Sequence, residues 1–175
     1  MQASWIRCVV AVGLTVTALK TAAPASGTPG TQRAIRAYLG PPRTAPAADE
    51  TFRLPVYVRD GGEDLVSYAL QVRYDPAVLE IVAIDGGTFG GFSERPVTEP
   101  ATFRRGRTRF AAVNRGVRRT HRTTNVANIV FRVVGGSGTN TQIRLQKGNS
   151  TPIVVNPDFE GRPLKTRQPV VVTIR

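Results

Sequence analysis

Residues 66–84, VSYALQVRYDPAVLEIVAI, carry the pattern that most limits what this chain can fold into. Tyr68, Leu70, Val72 and Tyr74 occupy every second position, with Ser67, Ala69, Gln71 and Arg73 between them. Leu79, Ile81 and Ala83 then resume the same period of two. Such alternation marks strands buried on one side. Pro76 lacks an N–H and pushes Asp75 away from helical geometry, so the first strand must end there. The Asp75 carboxylate is placed to accept N–H groups of the following turn and so return Leu79 to the interior. The expectation is two strands joined at a corner, with Tyr68, Leu70, Val72 and Leu79 hidden between two sheets.

The flanking sequence repeats this grammar. Phe52, Leu54, Val56 and Val58 alternate through Thr51–Arg59, and Ala34–Leu39 is stopped by Gly40-Pro41-Pro42, which reads as an edge strand. Further strands are expected at Arg107–Asn114, Val126–Val134, Thr141–Gln146 (Ile143 and Leu145 inward) and Val170–Ile174. Ser93–Pro100 reads as irregular, and Asn149–Thr166 as a loop with an apolar patch at Ile153–Val155. Helical periodicity is missing throughout. Short strands punctuated by Gly, Pro, Asn and Asp predict an all-β sandwich or barrel in one domain, residues 34–175.

Met1–Ala25 reads as a secretory signal peptide: Arg7 precedes the 12-residue apolar run Cys8–Leu19, and Ala23-Pro24-Ala25 supplies a cleavage site. The run is too short for a helix to cross about 30 Å of hydrocarbon. An uncleaved anchor is the other reading. Residues 26–33 form a polar linker. Cleavage removes Cys8 and Trp5, leaving a mature chain expected to be without thiol, disulfide or membrane span, secreted to the extracellular space, with the cell surface or the periplasm as the other destinations.

The segment RYDPAVLEI (Arg73–Ile81) resembles the "YDP…LE" signature of cohesin domains, receptor modules of bacterial polysaccharide-degrading assemblies. Thr51–Val58 sits where those domains carry their second strand, and Asn128–Val133 is similar to their late "A-x-I-x-F-x-V" strand. The resemblance implies an eight- to nine-stranded jelly-roll sandwich without catalytic activity or cofactor. It also implies a dockerin-like protein partner, held by the outward face of the strand bearing Ser67, Ala69, Gln71 and Arg73. Cohesins commonly carry Asn or Asp at the positions matching Ser67 and Ala69.

The residues offer little to catalysis. His121 stands among Arg118, Arg119 and Arg122 with no nucleophile at a recognisable spacing. Asp75 and Glu80 could form a carboxylate pair, but the corner motif accounts for both. Asp60, Glu63 and Asp64 make an oxygen-rich turn of the kind calcium favours, although without EF-hand spacing, and a charged hairpin turn is the plainer reading. No metal is assigned.

Charge is the boldest compositional feature. The chain carries a formal +12, or +10 once Arg7 and Lys20 leave with the leader, and uses 21 Arg against three Lys. Eight of the arginines fall in residues 104–122, a stretch without acids. Such a patch steers polyanions, and guanidinium groups clamp sulfate or carboxylate in bidentate fashion. With only Phe103 and Phe110 nearby and no nucleic-acid motif, specific nucleic-acid binding is not expected. The patch reads either as a solvated face or as an anion-binding surface. Flat cellulose readers need a row of exposed aromatics, for which Tyr38, Tyr57, Phe89 and Phe92 are the candidates, although Phe89 and Phe92 in the Gly-rich loop read equally as plugs of the sandwich end. The candidate partner-binding residues are Ser67, Gln71 and Arg73 on the sheet face, with Arg107, Arg109, Arg118 and Arg119 as a charged rim. The alternative is a carbohydrate- or polyanion-binding module using residues 104–122.

Overall fold

The alternation at the centre of the chain becomes two strands in opposite sheets. The computed structural model describes residues 35–59, 64–116, 123–148, 153–154, 161–162 and 164–175. The leader and linker expected over residues 1–33 lie outside these, as do Asp60 and Glu63 of the acidic turn. In order, the strands are β1 (Ile35–Leu39), β2 (Thr51–Arg59), β3 (Ser67–Arg73), β4 (Leu79–Gly86), β5 (Val97–Thr98) and β6 (Arg107–Val113). They continue as β7 (Thr124–Val133), β8 (Asn140–Lys147), β9 (Ile153–Val154), β10 (Gly161–Arg162), β11 (Leu164–Thr166) and β12 (Val170–Thr173). Among the described residues the other regular pieces are two short 3₁₀ turns, Gly90–Phe92 and Pro100–Thr102.

One sheet has the order β11-β1-β2-β7-β4. The other is built on β3, which pairs with β6 on one side and with β8 and β9 on the other; β5 extends from β6, and β12 from β8. Tyr68, Leu70, Val72 and Leu79 are each at most 2% exposed between the sheets, as expected. The corner is built as its residues require. Ala77 N–H donates to Asp75 Oδ1 at 2.9 Å, and Leu79 N–H donates to the Asp75 carbonyl at 2.9 Å. A second turn locks against this one. Gly106 has φ +71° and its carbonyl accepts Tyr74 N–H at 3.0 Å, while a side chain at Gly106 would press on Pro76 Cδ at 2.9 Å.

Three departures from the sequence reading have physical causes. β1 is not an edge strand, because β11 returns parallel to it over Ile35–Ala37 and leaves only its last residues with a single neighbour. Segments read as irregular hold short strands: β5 pairs with β6, and β9–β11 lie within Asn149–Thr166. Two- and three-residue strands cannot display a period. Third, the alternation of β7 breaks at Thr124–Ala127, four consecutive buried residues. Here β2 and β7 slip register between Val56 and Tyr57, and Val126 is the extra residue. Asn125 stitches this bulge, with Nδ2 donating to the carbonyls of Val56 (3.2 Å) and Ala127 (3.1 Å) and Oδ1 accepting Thr88 N–H (2.7 Å). A second bulge, at Val82, interrupts the pairing of β4 with β7. On the other side of β4, Ile81 N–H donates to the Phe103 carbonyl at 3.2 Å.

The bulge at Val126 is tied to the opposite sheet. Tyr68 Oη donates to the Val126 carbonyl at 3.0 Å through the interior, and burial pushes the phenol's pKa upward. Phe92 and Phe110 pack around the ring at 5.4 and 6.0 Å between centroids. Tyr68→Phe keeps that packing but strands a buried carbonyl, so a loss of about 1–3 kcal/mol in urea unfolding is expected. Gly106→Ala forces a left-handed position and a contact with Pro76, with an expected loss of about 1–2 kcal/mol in the same measurement.

Candidate functional site

The outer face of the β8–β3–β6–β5 sheet is left open by every described element. Its side chains follow directly from the inward set. With Tyr68, Leu70 and Val72 inside, Ser67, Ala69, Gln71 and Arg73 must point out; with Thr108 and Phe110 inside, so must Arg107, Arg109, Ala111 and Val113. Ile143 and Leu145 inside place Gln142, Arg144 and Gln146 outward.

Register then sorts these side chains into two zones. At one end Arg73 lies opposite Arg107 on β6 and opposite Arg144 on β8, so three outward arginines occupy neighbouring positions on three strands; Arg144 Nη2 donates to Gln142 Oε1 at 2.7 Å. One step inward, Gln71 is flanked by Arg109 and Gln146. Gln71 Nε2 donates to Gln146 Oε1 at 3.3 Å, and Arg109 Nε points at Gln71 Oε1 at 3.5 Å. Sandwiched in this way, Gln71 is only 7% exposed. It faces outward, as read from the alternation, but a partner would touch its neighbours before it. At the other end Ala69 lies opposite Ala111, Ser67 opposite Val113, and Val97 beside Ala111. Val97 and Val113 are 79% and 61% exposed. They rim a shallow depression of about 290 Å³ floored by Ala69 and Ala111 and closed at its end by Phe92 and Arg115.

The electrostatics separate paired from unpaired arginines. Glu80 takes Arg104 at 2.9 Å and Arg132 besides; Asp85 takes Arg53 and Arg95, each at 3.3 Å; Glu94 takes Arg115 at 2.7 Å. The Arg132 hydrogen bond, helped by Arg104, holds the Glu80 carboxyl below the usual carboxylate range. Among the described residues no acid lies within ion-pair distance of Arg73, Arg107, Arg109 or Arg144. Like charges directly opposite on neighbouring strands are destabilising, by up to roughly 1 kcal/mol a pair. The register therefore places Arg73, Arg107 and Arg144 next to one another without an acid of this chain between them among the described residues.

Of the residues singled out by sequence, Ser67, Gln71, Arg73, Arg107 and Arg109 come together on this face. Arg118, Arg119, His121 and Arg122 lie outside the described residues. The described arginines of the 104–122 run part ways, since Arg104 and Arg115 turn to acids while Arg107 and Arg109 do not. Arg144, Val97, Val113 and Ala111 are contributors the sequence reading passed over. The inward spacing of Ile143 and Leu145 already implied an outward Arg144. The apolar pair needed the β5–β6 register, which a two-residue strand does not announce.

The aromatic candidates for sugar stacking do not form a row. Tyr38 and Tyr57 stack on one another at 5.4 Å across β1 and β2, on the outer face of the other sheet, with Arg167 over the Tyr38 ring at 4.7 Å. Phe92 takes the other role open to it and is buried beneath Tyr68, because the Gly-rich turn folds it into the sandwich end. Of the acidic turn, only Asp64 is described, and among the described residues no group of three potential metal ligands gathers. The Asp75 and Glu80 carboxylates are occupied by the corner and by arginines.

Residues 41–152 match the model of the cohesin domain. The chain belongs to the cohesin family. The solved cohesins share the fold at low identity. The seventh ScaB type I cohesin of Pseudobacteroides cellulosolvens matches with a TM-score of 0.62 at 12% identity, covering 81% of this chain and 92% of that one. A type II cohesin from the cellulosome of Acetivibrio cellulolyticus gives 0.60 at 16%, covering 80% and 95%. The cohesin of the Coh-OlpA-Doc918 type I cohesin–dockerin complex of Clostridium thermocellum gives 0.62 at 16%, covering 82% and 100%. No curated protein matches the chain. In this cohesin no helix among the described residues is long and apolar enough to cross a membrane.

Glu80 offers a direct check of the ion-pair network behind the face. Its folded-state pKa is depressed, so its contribution is present above the usual carboxylate range and fades as pH falls through the folded value. Glu80→Gln is expected to lower stability by about 1 kcal/mol at neutral pH. The loss should shrink as pH falls below the carboxylate range, read as melting temperature against pH for the two chains side by side.

Proposed function

We propose that this cohesin is a secreted, non-enzymatic attachment module that holds a dockerin-like protein on the outer face of β8–β3–β6–β5. The observation that carries the reading is that open face, in a chain of this family. It is flat, spans four strands, and has small side chains, Ala69 and Ala111, at its apolar end. The solved complex of a cohesin with a dockerin from Clostridium thermocellum supports a protein as the partner class. The leader read over residues 1–25 supports export, and the engagement of Asp75 and Glu80 in structural bonds supports a role without catalysis.

A second reading, a module for polyanionic glycans, is favoured by one observation: the unpaired row Arg73, Arg107 and Arg144. The two readings part on salt. Immobilised chain should retain its partner from a secreted-protein fraction at about 1 M salt, where screening extends to roughly 3 Å. Ala69→Trp, which fills the face without touching the core, should abolish that capture. Loss of all capture at high salt, with Ala69→Trp behaving as the parent, would transfer the function to polyanions.

A further inference from the structure

We infer that the partner presents a specific bipartite surface to this face, carboxylates against Arg73, Arg107 and Arg144 and, about 13 Å away, an aliphatic side chain in the depression between Val97 and Val113. This rests on the reading of the same face as the docking surface and adds the partner's chemistry to it. The spacing comes from β3 itself. Arg73 and Ala69 are four residues apart on one strand, and a strand rises roughly 3.3 Å per residue.

Each half of the surface asks for a different group. The arginine row has no acid of this chain within ion-pair distance among the described residues, and cross-strand register holds its three members together. A pair of carboxylates meeting it removes repulsion already present in the free protein, so the gain on binding exceeds that of an ordinary surface ion pair. The depression, in contrast, is lined at its floor and rim by Ala69, Ala111, Val97 and Val113. Its two rings, Tyr68 and Phe92, are buried and offer no face for a sugar to stack on, and Glu94, Arg95 and Arg115 at its edge are engaged in ion pairs. Its volume of about 290 Å³ takes a leucine-sized group. Charge beside a mainly apolar depression is the chemistry of a protein segment rather than of a sulfated polysaccharide, whose charge repeats along its whole length.

The two halves act on different rates. Exposed arginines steer encounter and make association salt-dependent, whereas the desolvated aliphatic anchor sets dissociation. A helix covers 13 Å in about nine residues. The probe is therefore a helical peptide of about 20 residues with glutamates at positions i and i+4 and a leucine at i+11, which keeps all three on one face at about 13 Å between charge and anchor. Three controls accompany it: its Glu→Lys counterpart, its Leu→Ser counterpart, and a heparin fragment. Surface plasmon resonance on the full chain should show the lysine peptide binding at least tenfold more weakly, chiefly through association. The serine peptide should dissociate several-fold faster.

Arg73→Glu with Arg144→Glu should reverse the preference between glutamate and lysine peptides. Val113→Asp should erase the difference between leucine and serine peptides while leaving the charge preference in place. All three positions are exposed, and a circular dichroism melt of each variant verifies folding. Equal binding of the glutamate and lysine peptides overturns the inference, as does heparin outcompeting the peptide with no advantage from leucine. The secreted-fraction capture separates this from the attachment reading. Capture lost in Ala69→Trp but untouched by charge reversal overturns the inference alone, and capture indifferent to both removes the docking face itself.

Discussion

The sandwich depends on a polar bond inside an apolar interior. Tyr68 donates to the carbonyl of Val126, the extra residue of the β7 bulge, and thereby joins the sheet that carries the open face to the sheet behind it. A bulge frees a backbone carbonyl, and a buried carbonyl without a partner is costly. A ring without the hydroxyl at position 68 would fill the space and leave that carbonyl unpaired. The phenol satisfies the carbonyl while its ring supplies the packing surface for Phe92 and Phe110. Relative placement of the two sheets is thus set by direction as well as by shape.

From that link the outer face follows almost mechanically. Tyr68 inward fixes the parity of β3, and the parity of β3 sends Ala69 and Arg73 outward. The Gly106 turn, braced on Pro76 and bonded to Tyr74, sets the start of β6, so Arg107 meets Arg73 and Ala111 meets Ala69. A one-residue slip would bury Arg109 and expose Phe110. The charged and apolar zones are therefore consequences of the core, laid out before any partner arrives.

Much of this was legible in the sequence, and where it was not the reasons are physical. The corner at Asp75-Pro76 and the long strands β2, β3, β6 and β8 declare themselves because each has one wet and one dry face. The pairing of β11 with β1 was hidden, since parallel contact between distant segments leaves no local trace. The bulge at Val126 made four consecutive residues of β7 buried, which no single period describes. Gln71 alternates outward, yet its cross-strand neighbours cover it, an effect of register rather than of sequence. Arginines 104–122 looked like one patch because sequence records proximity along the chain but not the acids waiting in space for Arg104 and Arg115.

The bulge at Val82 has a further consequence. β4 is the outermost strand of its sheet, and a straight outermost strand invites another copy to add on through its backbone. At Val82 the strand is bent out of step with β7, and at Ile81 its free N–H is already taken by Phe103. The ladder available to a newcomer is broken in two places. That edge therefore offers a neighbouring copy no continuous run of backbone groups on which to add a strand, and crowding of copies along it is discouraged by the bend itself.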